Sequence, residues 1–461
     1  MICRLILAVL FLASVSACKV QVQVPDNGRV TSVSGNYLCE VSQTCEIEVI
    51  DLLFNETFIA EPARGYQFDG WRQELGYLCG GQTNTCPVAT SLFEGCEACM
   101  EVLASDVTVF LEPVFTVCKL PDGEIVVQTA AAGIKFVRTP SACFDSLHDY
   151  NFEPNYVNVS GLRYHYIDEG PRDGEIVFML HGQPTWSYLY RKMIPVLVQA
   201  GYRVIAVDHI GMGRSDKPVD PGVHQFEQHV AWMKVLIAKL GIADITLFAQ
   251  DWGSLIGLRI AGDMPELFAR IVVANGDLRI FEPGSNPYSA PVFEFDESDP
   301  GLIAHLISRR GASSFEEGFQ QWIEFAATAP DLFAAGLLDL ASVDGLTVQE
   351  YASYNAPYPS RIYWAGIRAF PSMLAGIGQQ NVPAWEELGR YDRPFLFLAG
   401  ERDRHLGRVG NQDKWIAHVP GAAGQDHRRY PTAGHFIQED VGTELAAQVV
   451  DFIEKNPAPP M

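Results

Sequence analysis

Phe248-Ala249-Gln250-Asp251-Trp252-Gly253-Ser254 ends one buried apolar run, Asp244–Gln250, and opens a helical stretch from Leu255 onward. A strand that turns at once into a helix needs small residues beside the turn, because the backbones there approach too closely for side chains. Ala249 and Gly253 hold the positions two before and two after Asp251. The residue presented at the tip is therefore a carboxylate, not a hydroxyl or a thiol. A carboxylate there can displace a leaving group at carbon and become an ester. Taken alone, the same run also suits an ordinary strand-to-helix turn.

Outward from this turn the alternation continues. Glu175–Leu180, Arg203–Asp208, Arg270–Asn275 and Pro394–Gly400 are short runs rich in Val, Ile, Leu and Phe, separated by amphipathic stretches such as Gln225–Leu240. Buried strands alternating with helices imply an α/β fold with a parallel sheet covered on both faces. The rhythm stops between Leu278 and about Leu374, where helical runs continue without a convincing strand. The expectation is an α/β-hydrolase core at 135–280 and 375–461, interrupted by a helical cap at 281–374.

The remaining chemistry falls at strand ends. Asp403 lies just past Pro394–Gly400, and His435 lies in Ala433-Gly434-His435-Phe436, before the last helix. Nucleophile, acid, histidine is the chain order of α/β-hydrolases, so the predicted triad is Asp251, Asp403 and His435. Glu401 shares the turn with Asp403 and is the rival acid. Asp277 is a remoter candidate. The turn His181-Gly182-Gln183-Pro184 follows Glu175–Leu180, and the backbone N–H groups of Gln183 and Trp252 are expected to form an oxyanion hole.

Three blocks make a resemblance explicit. They are His181-Gly182-Gln183-Pro184-Thr185-Trp186-Ser187-Tyr188-Leu189-Tyr190-Arg191, Asp208-His209-Ile210-Gly211-Met212-Gly213-Arg214-Ser215-Asp216-Lys217-Pro218, and Gln250-Asp251-Trp252-Gly253. With Tyr354-Asn355-Ala356-Pro357-Tyr358-Pro359 and Ala365-Gly366-Ile367-Arg368-Ala369-Phe370-Pro371, they resemble the haloalkane dehalogenases, from about Phe136 to the end. The resemblance implies that Asp251 attacks the halogen-bearing carbon. It also implies that indole N–H groups of Trp252 and Trp322 hold the halide, and that water activated by His435 hydrolyses the ester. It favours the branch whose acid follows the strand ending at Gly400 and whose second halide donor is a cap tryptophan, here Trp322 in Gly318-Phe319-Gln320-Gln321-Trp322. Gln183 stands where an acidic residue is expected and Ser254 where Gly is usual. No metal or other cofactor is implied; the partners are a small halogenated organic substrate and water.

The first 143 residues carry a different signature. Met1-Ile2-Cys3-Arg4, the apolar run Leu5–Val15 and Val15-Ser16-Ala17-Cys18 resemble a bacterial lipoprotein signal, with Cys18 as the lipid anchor. A plain secretory signal cleaved nearby is the alternative. Cys39, Cys45, Cys79, Cys86, Cys96, Cys99, Cys118 and Cys143 follow, and no cysteine comes after them. An even set clustered in an exported segment reads as a disulfide framework, most simply paired between neighbours. Zinc competes for Cys96-Glu97-Ala98-Cys99. Strand-like runs Val20–Val24, Cys45–Ile50, Phe58–Glu61 and Val107–Leu111, broken by turns such as Asp26-Asn27-Gly28, predict a small disulfide-rich β domain at 19–117, joined by a linker at 118–134. Gly65-Tyr66-Gln67-Phe68-Asp69-Gly70-Trp71 resembles the bacterial surface modules called InlB B-type repeats. The expected location is therefore outside the cytoplasm, lipid-anchored in the periplasm, the outer membrane or at the cell surface.

The formal net charge of -23 disfavours nucleic acid and anionic lipid surfaces as partners. Two other readings stay open at this stage. An epoxide hydrolase uses the same Asp nucleophile with cap tyrosines, for which Tyr288, Tyr351, Tyr354, Tyr358 and Tyr363 are available. A surface-anchored binding protein would use the fold without the reaction.

Overall fold

A computed structural model of the chain describes residues 18–457 apart from 50, 63–66, 83–84, 94–99, 101, 104, 106, 117–124, 146, 297–313, 330–331 and 333. It divides into two compact units, Met1–Phe115 and Thr116–Met461.

In the larger unit an eight-stranded sheet carries the fold. Its strands are β1 (Asn155–Val159), β2 (Leu162–Glu169), β3 (Ile176–Leu180), β4 (Arg203–Asp208), β5 (Ile245–Asp251), β6 (Phe268–Gly276), β7 (Phe395–Gly400) and β8 (Arg428–Tyr430). They lie in the order β1-β2-β4-β3-β5-β6-β7-β8. β1 and β2 pair antiparallel, as do β2 and β4, and the remaining neighbours are parallel. The parallel sheet expected from the alternation is present, and the α/β-hydrolase fold expected from the turn at Asp251 and the order of the triad is the fold observed. β6 and β7 are buried at every residue, which is why they read as unbroken apolar runs. The sequence reading passed over β1, β2 and β8. β1 has a single buried residue, Val159, and β8 has three residues at the sheet edge; neither offers a continuous apolar run.

The strand order places β3 and β5 side by side while β4 lies beyond β3. Ligands bind at such a switch point, outside the carboxyl ends of the strands. Between β6 and β7 the described residues form no strand. They include the helices Phe315–Thr328, Ala334–Ala341 and Val348–Asn355. Ser314 caps the first by accepting from the Glu317 amide, and Thr347 with Glu350 makes a capping box on the third. In Phe315–Thr328 the buried residues Trp322, Ile323, Phe325 and Ala326 share one stripe, as expected of an amphipathic helix.

The smaller unit is built from short strands. Cys18–Gln23 lies between Thr44–Val49 and Thr108–Leu111, and Gly28–Ser32 lies between Leu38–Cys39 and Asn55–Pro62. Val20, Val22, Val30, Ile47, Phe58, Trp71 and Leu111 form its core. Phe68 meets Trp71 edge-on at 5.3 Å, so the aromatic run quoted above supplies core packing; Tyr66 lies outside the described residues. Disulfides join Cys39 to Cys45 and Cys79 to Cys86, as the nearest-neighbour pairing expects, and Cys143 is also disulfide-bonded. Cys96, Cys99 and Cys118, and the segment before Cys18 read as a signal, lie outside the described residues. Cys18 opens the first strand, opposite Val49, with a buried free thiol.

Candidate active site

β5 runs into the helix Trp252–Asp263 with no loop between them. Asp251 takes the whole turn on itself, at φ 49° and ψ -125°. A non-glycine residue there costs about 1–3 kcal/mol and persists only where its surroundings hold it. Two glycines permit the turn. A Cβ on Gly253 would fall on the Leu180 carbonyl oxygen, and one on Gly182 would overlap the Asp251 side chain. The Asp251 carboxylate therefore stands at a helix N-terminus, where amide N–H groups and the helix dipole favour negative charge.

The turn after β3 meets it. The Gln183 backbone N–H donates to Asp251 Oδ1 over 3.0 Å, and the Trp252 backbone N–H also bonds this carboxyl group. These are the two amides expected at the oxyanion position. The turn itself is pinned from below: the His209 amide donates to His181 Nε2 over 3.0 Å, and the Thr185 hydroxyl donates to the Gly182 carbonyl over 2.8 Å. Burial pushes His181 down to about 4, so it stays neutral and serves as an acceptor.

From the loops after β7 and β8 come the other two groups. His435 Nδ1 lies 2.8 Å from Asp403 Oδ2, and His435 Nε2 lies 3.6 Å from Asp251 Oδ2. The second Asp403 oxygen accepts from the amides of His405 and Leu406, at 2.8 and 3.1 Å. Burial raises the Asp403 pKa, but the positive charge and hydrogen bond of His435 outweigh it and hold it below the usual value. For His435 burial acts downward, yet Asp403 and Asp251 together bring it up to about 9. Burial leaves Asp251 above the usual carboxylate range, despite His435 and the two amides pulling it down.

The rival acids are elsewhere. Glu401 is exposed and pairs with Arg429 at 3.2 Å. Asp277 is buried, bound to Lys414, to Trp415 Nε1 at 3.0 Å and to Arg279 at 3.3 Å.

A cavity of about 310 Å³ opens over Asp251. Trp252 and Trp322 both line it, together with Gln183, Asp403 and His435, and most of the remaining wall is aliphatic or aromatic. Such a lining suits a small apolar ligand positioned by a few polar groups. Among the described residues no tyrosine lines it. Tyr354 donates to Glu439 over 2.7 Å and Tyr358 to the Pro184 carbonyl over 3.3 Å.

Two contributors escaped the sequence reading. Gln250 Nε2 lies 3.3 Å from His435 Nε2 and donates to the His435 carbonyl over 3.2 Å. Asn275, at φ 43°, donates to the carbonyls of Gly434 and His435, at 2.7 and 3.1 Å, and accepts from the Gly400 amide at 2.8 Å. It thereby ties the end of β7 to the histidine loop. The available signal was position: both are polar residues at the carboxyl ends of buried parallel strands.

Fold and site together define an α/β-hydrolase, and residues 175–440 match the α/β-hydrolase fold family. More narrowly, the chain belongs to the haloalkane dehalogenases, a family of hydrolytic enzymes. It is 43% identical over 326 residues to the haloalkane dehalogenase of Mycobacterium marinum, covering 68% of this chain and 99% of that one. It is 38% identical over 334 residues to that of Psychrobacter cryohalolentis, covering 70% and 100%. Among solved structures it resembles the haloalkane dehalogenase DpaA of Paraglaciecola agarilytica, itself a tetramer, with a TM-score of 0.55 and 32% identity over 68% of this chain and 97% of that one.

Proposed function

We propose that the chain hydrolyses small haloalkanes to alcohol and halide through a covalent ester on Asp251. The observation that carries this reading is the division of labour at that carboxylate. Oδ1 is held by the Gln183 amide at 3.0 Å, while Oδ2 lies 3.6 Å from His435 Nε2 and beside the cavity. In the first half-reaction Oδ2 forms a bond to the halogen-bearing carbon, the carbon–halogen bond breaks, and halide leaves with the electron pair. The indole N–H groups of Trp252 and Trp322 are suited to hold it, because halide is a weak acceptor that needs donors free of competing water. In the second, water gives a proton to His435 Nε2 and its oxygen adds to the Asp251 carbonyl carbon. The Gln183 and Trp252 amides stabilise the resulting oxyanion. On collapse the bond from the former carbonyl carbon to the alkoxide oxygen breaks, His435 returns its proton so that the alcohol leaves, and the proton left on the carboxyl group passes to solvent, restoring the carboxylate. Asp403 orients His435 and stabilises its charged form.

The helices between β6 and β7 act as the cap that closes this cavity. Ahead of the enzyme, the module at 19–117 serves as a spacer, and Cys18 carries a lipid once the signal is removed. Lipidation would require the Cys18 thiol to leave its packed position in the first strand. Labelling with a radioactive fatty acid tests the anchor: incorporation should disappear in Cys18→Ser, and equal labelling would refute it.

Halide release from 1,2-dibromoethane, compared with ring opening of styrene oxide, tests the reaction. Bromide should appear with wild type and not with Asp251→Asn. Rapid epoxide opening without halide release would instead favour the epoxide hydrolase reading. Biological activity undiminished in Asp251→Asn would support a binding role.

A further inference from the structure

One cation on the cavity wall has no part in the reaction just described. Arg279 lies three residues beyond β6 and lines the cavity with a side chain 29% exposed. The other polar lining groups, Gln183, Asp251, Asp403, His405 and His435, form the nucleophile, its amide turn or the loop that holds the acid–histidine pair. A neutral haloalkane offers no acceptor to a guanidinium, which stays charged at any ordinary pH and presents five N–H donors.

Nor is Arg279 neutralised where it stands. Its one ion-pair partner among the described residues is Asp277, whose Oδ2 lies 3.3 Å from Nε. Asp277 already serves Lys414, the Trp415 indole at 3.0 Å and the Leu278 amide at 3.0 Å, all through Oδ1. One carboxylate is thus shared by two cations, so these three groups together carry a net positive charge. Asp277 also fixes the guanidinium through Nε and leaves the terminal Nη nitrogens with no partner among the described residues. Glu316 feels the charge of Arg279, but it is exposed and makes no ion pair with it.

We infer that Arg279 binds an anionic group at the far end of the substrate, so that the site takes haloalkanoates with a terminal carboxylate. This rests on the dehalogenase reading above and names its substrate class. The guanidinium holds the carboxylate while the halogen-bearing carbon faces Asp251, and it offsets the repulsion that an anionic substrate would meet from that residue. The carboxylate takes no part in the bond changes, which remain those of the ester mechanism. The cavity, at about 310 Å³, is at the small end of ligand sites, as a linear substrate requires.

The test compares kcat/KM for 6-bromohexanoate and 1-bromohexane. In Arg279→Met the ratio of the two should fall roughly tenfold or more, mainly through KM for the carboxylate, as expected for loss of a hydrogen-bonded charge pair. Arg279→Lys should restore part of it, since Lys supplies charge without the planar fork. A ratio unchanged within about twofold overturns the inference. Wild-type protein gives an independent measure: hexanoate should inhibit competitively more strongly than hexanamide, and equal inhibition overturns it too. Turnover of 1-bromohexane without any carboxylate preference would sink this inference alone. Failure of wild type to release halide from either substrate would sink the dehalogenase reading with it.

Discussion

His435 donates through Nδ1 to Asp403 across 2.8 Å and turns Nε2 towards Asp251 at 3.6 Å, so one imidazole is held between two carboxylates. Burial opposes its charge, yet the pair lifts its pKa to about 9. Removing either carboxylate should lower it. In Asp251→Asn, His435 is expected to titrate below 9 by NMR; an unmoved pKa would show that Asp251 does not act on it. Formation of the ester removes the same negative charge, which shifts His435 towards the neutral form that hydrolysis needs, while Asp403, the larger influence, stays in place. Stability follows the same sign. A pKa raised from 6.5 to about 9 contributes stability fully below 6.5 and loses it as pH climbs through 9. Asp403→Asn should therefore lose more stability at pH 6 than at pH 10.

The choice of acid is open to a direct comparison. Asp403→Asn should cut kcat by about 10³-fold or more, on the scale set by loss of a histidine-orienting acid in other triads. Glu401→Gln should stay within about twofold of wild type, because an exposed pair such as Glu401–Arg429 contributes little. A large loss in Glu401→Gln with a mild one in Asp403→Asn would reverse the assignment.

Gly253 has no room for a methyl group, because its Cβ would fall on the Leu180 carbonyl oxygen. Gly253→Ala should destabilise the larger unit by about 3 kcal/mol or more, measured by denaturant unfolding, since the clash is with backbone that cannot turn aside. An unchanged midpoint would mean the turn is looser than described.

Arg191 is nearly inaccessible, and it bridges the helix Val348–Asn355 to the last helix. Its Nη atoms lie 2.5 and 2.7 Å from the Glu439 carboxylate and 2.5 Å from Glu350. Arg191→Met leaves Glu439 buried with Lys192 as its one cationic partner among the described residues. A cost of about 3 kcal/mol is expected from breaking a buried pair on one side. Arg191→Met/Glu439→Gln should recover much of that loss; a double variant as unstable as the sum of the singles would contradict the coupling.

How much of this was legible follows from the range over which each feature is decided. The turn at Asp251 is local: Ala249, Gly253 and the change from strand to helix lie within a few residues, so the backbone constraint is written in consecutive letters. Asp403 and His435 were legible because chain order and strand ends restrict the choice. Asn275 carried no such mark. Its amide joins Gly400 to Gly434 and His435, contacts that span 125 to 160 positions and leave no local trace. The same holds for Arg191 with Glu439, 248 residues apart. Nothing in its local sequence marks Arg279 as a cavity residue; the fold puts it on the wall. The antiparallel pair β1–β2 was missed because half-accessible strands lack the apolar runs by which the buried ones were read.

The most direct measurement is mass spectrometry of the peptide containing Asp251, after brief exposure of His435→Ala protein to 1,2-dibromoethane. With the base removed, the ester should form and not be hydrolysed, so the peptide should gain one bromoethyl group on Asp251 while bromide release stops near one equivalent. An unmodified Asp251 in protein that still releases bromide, or the alkyl group on another residue, would contradict the account.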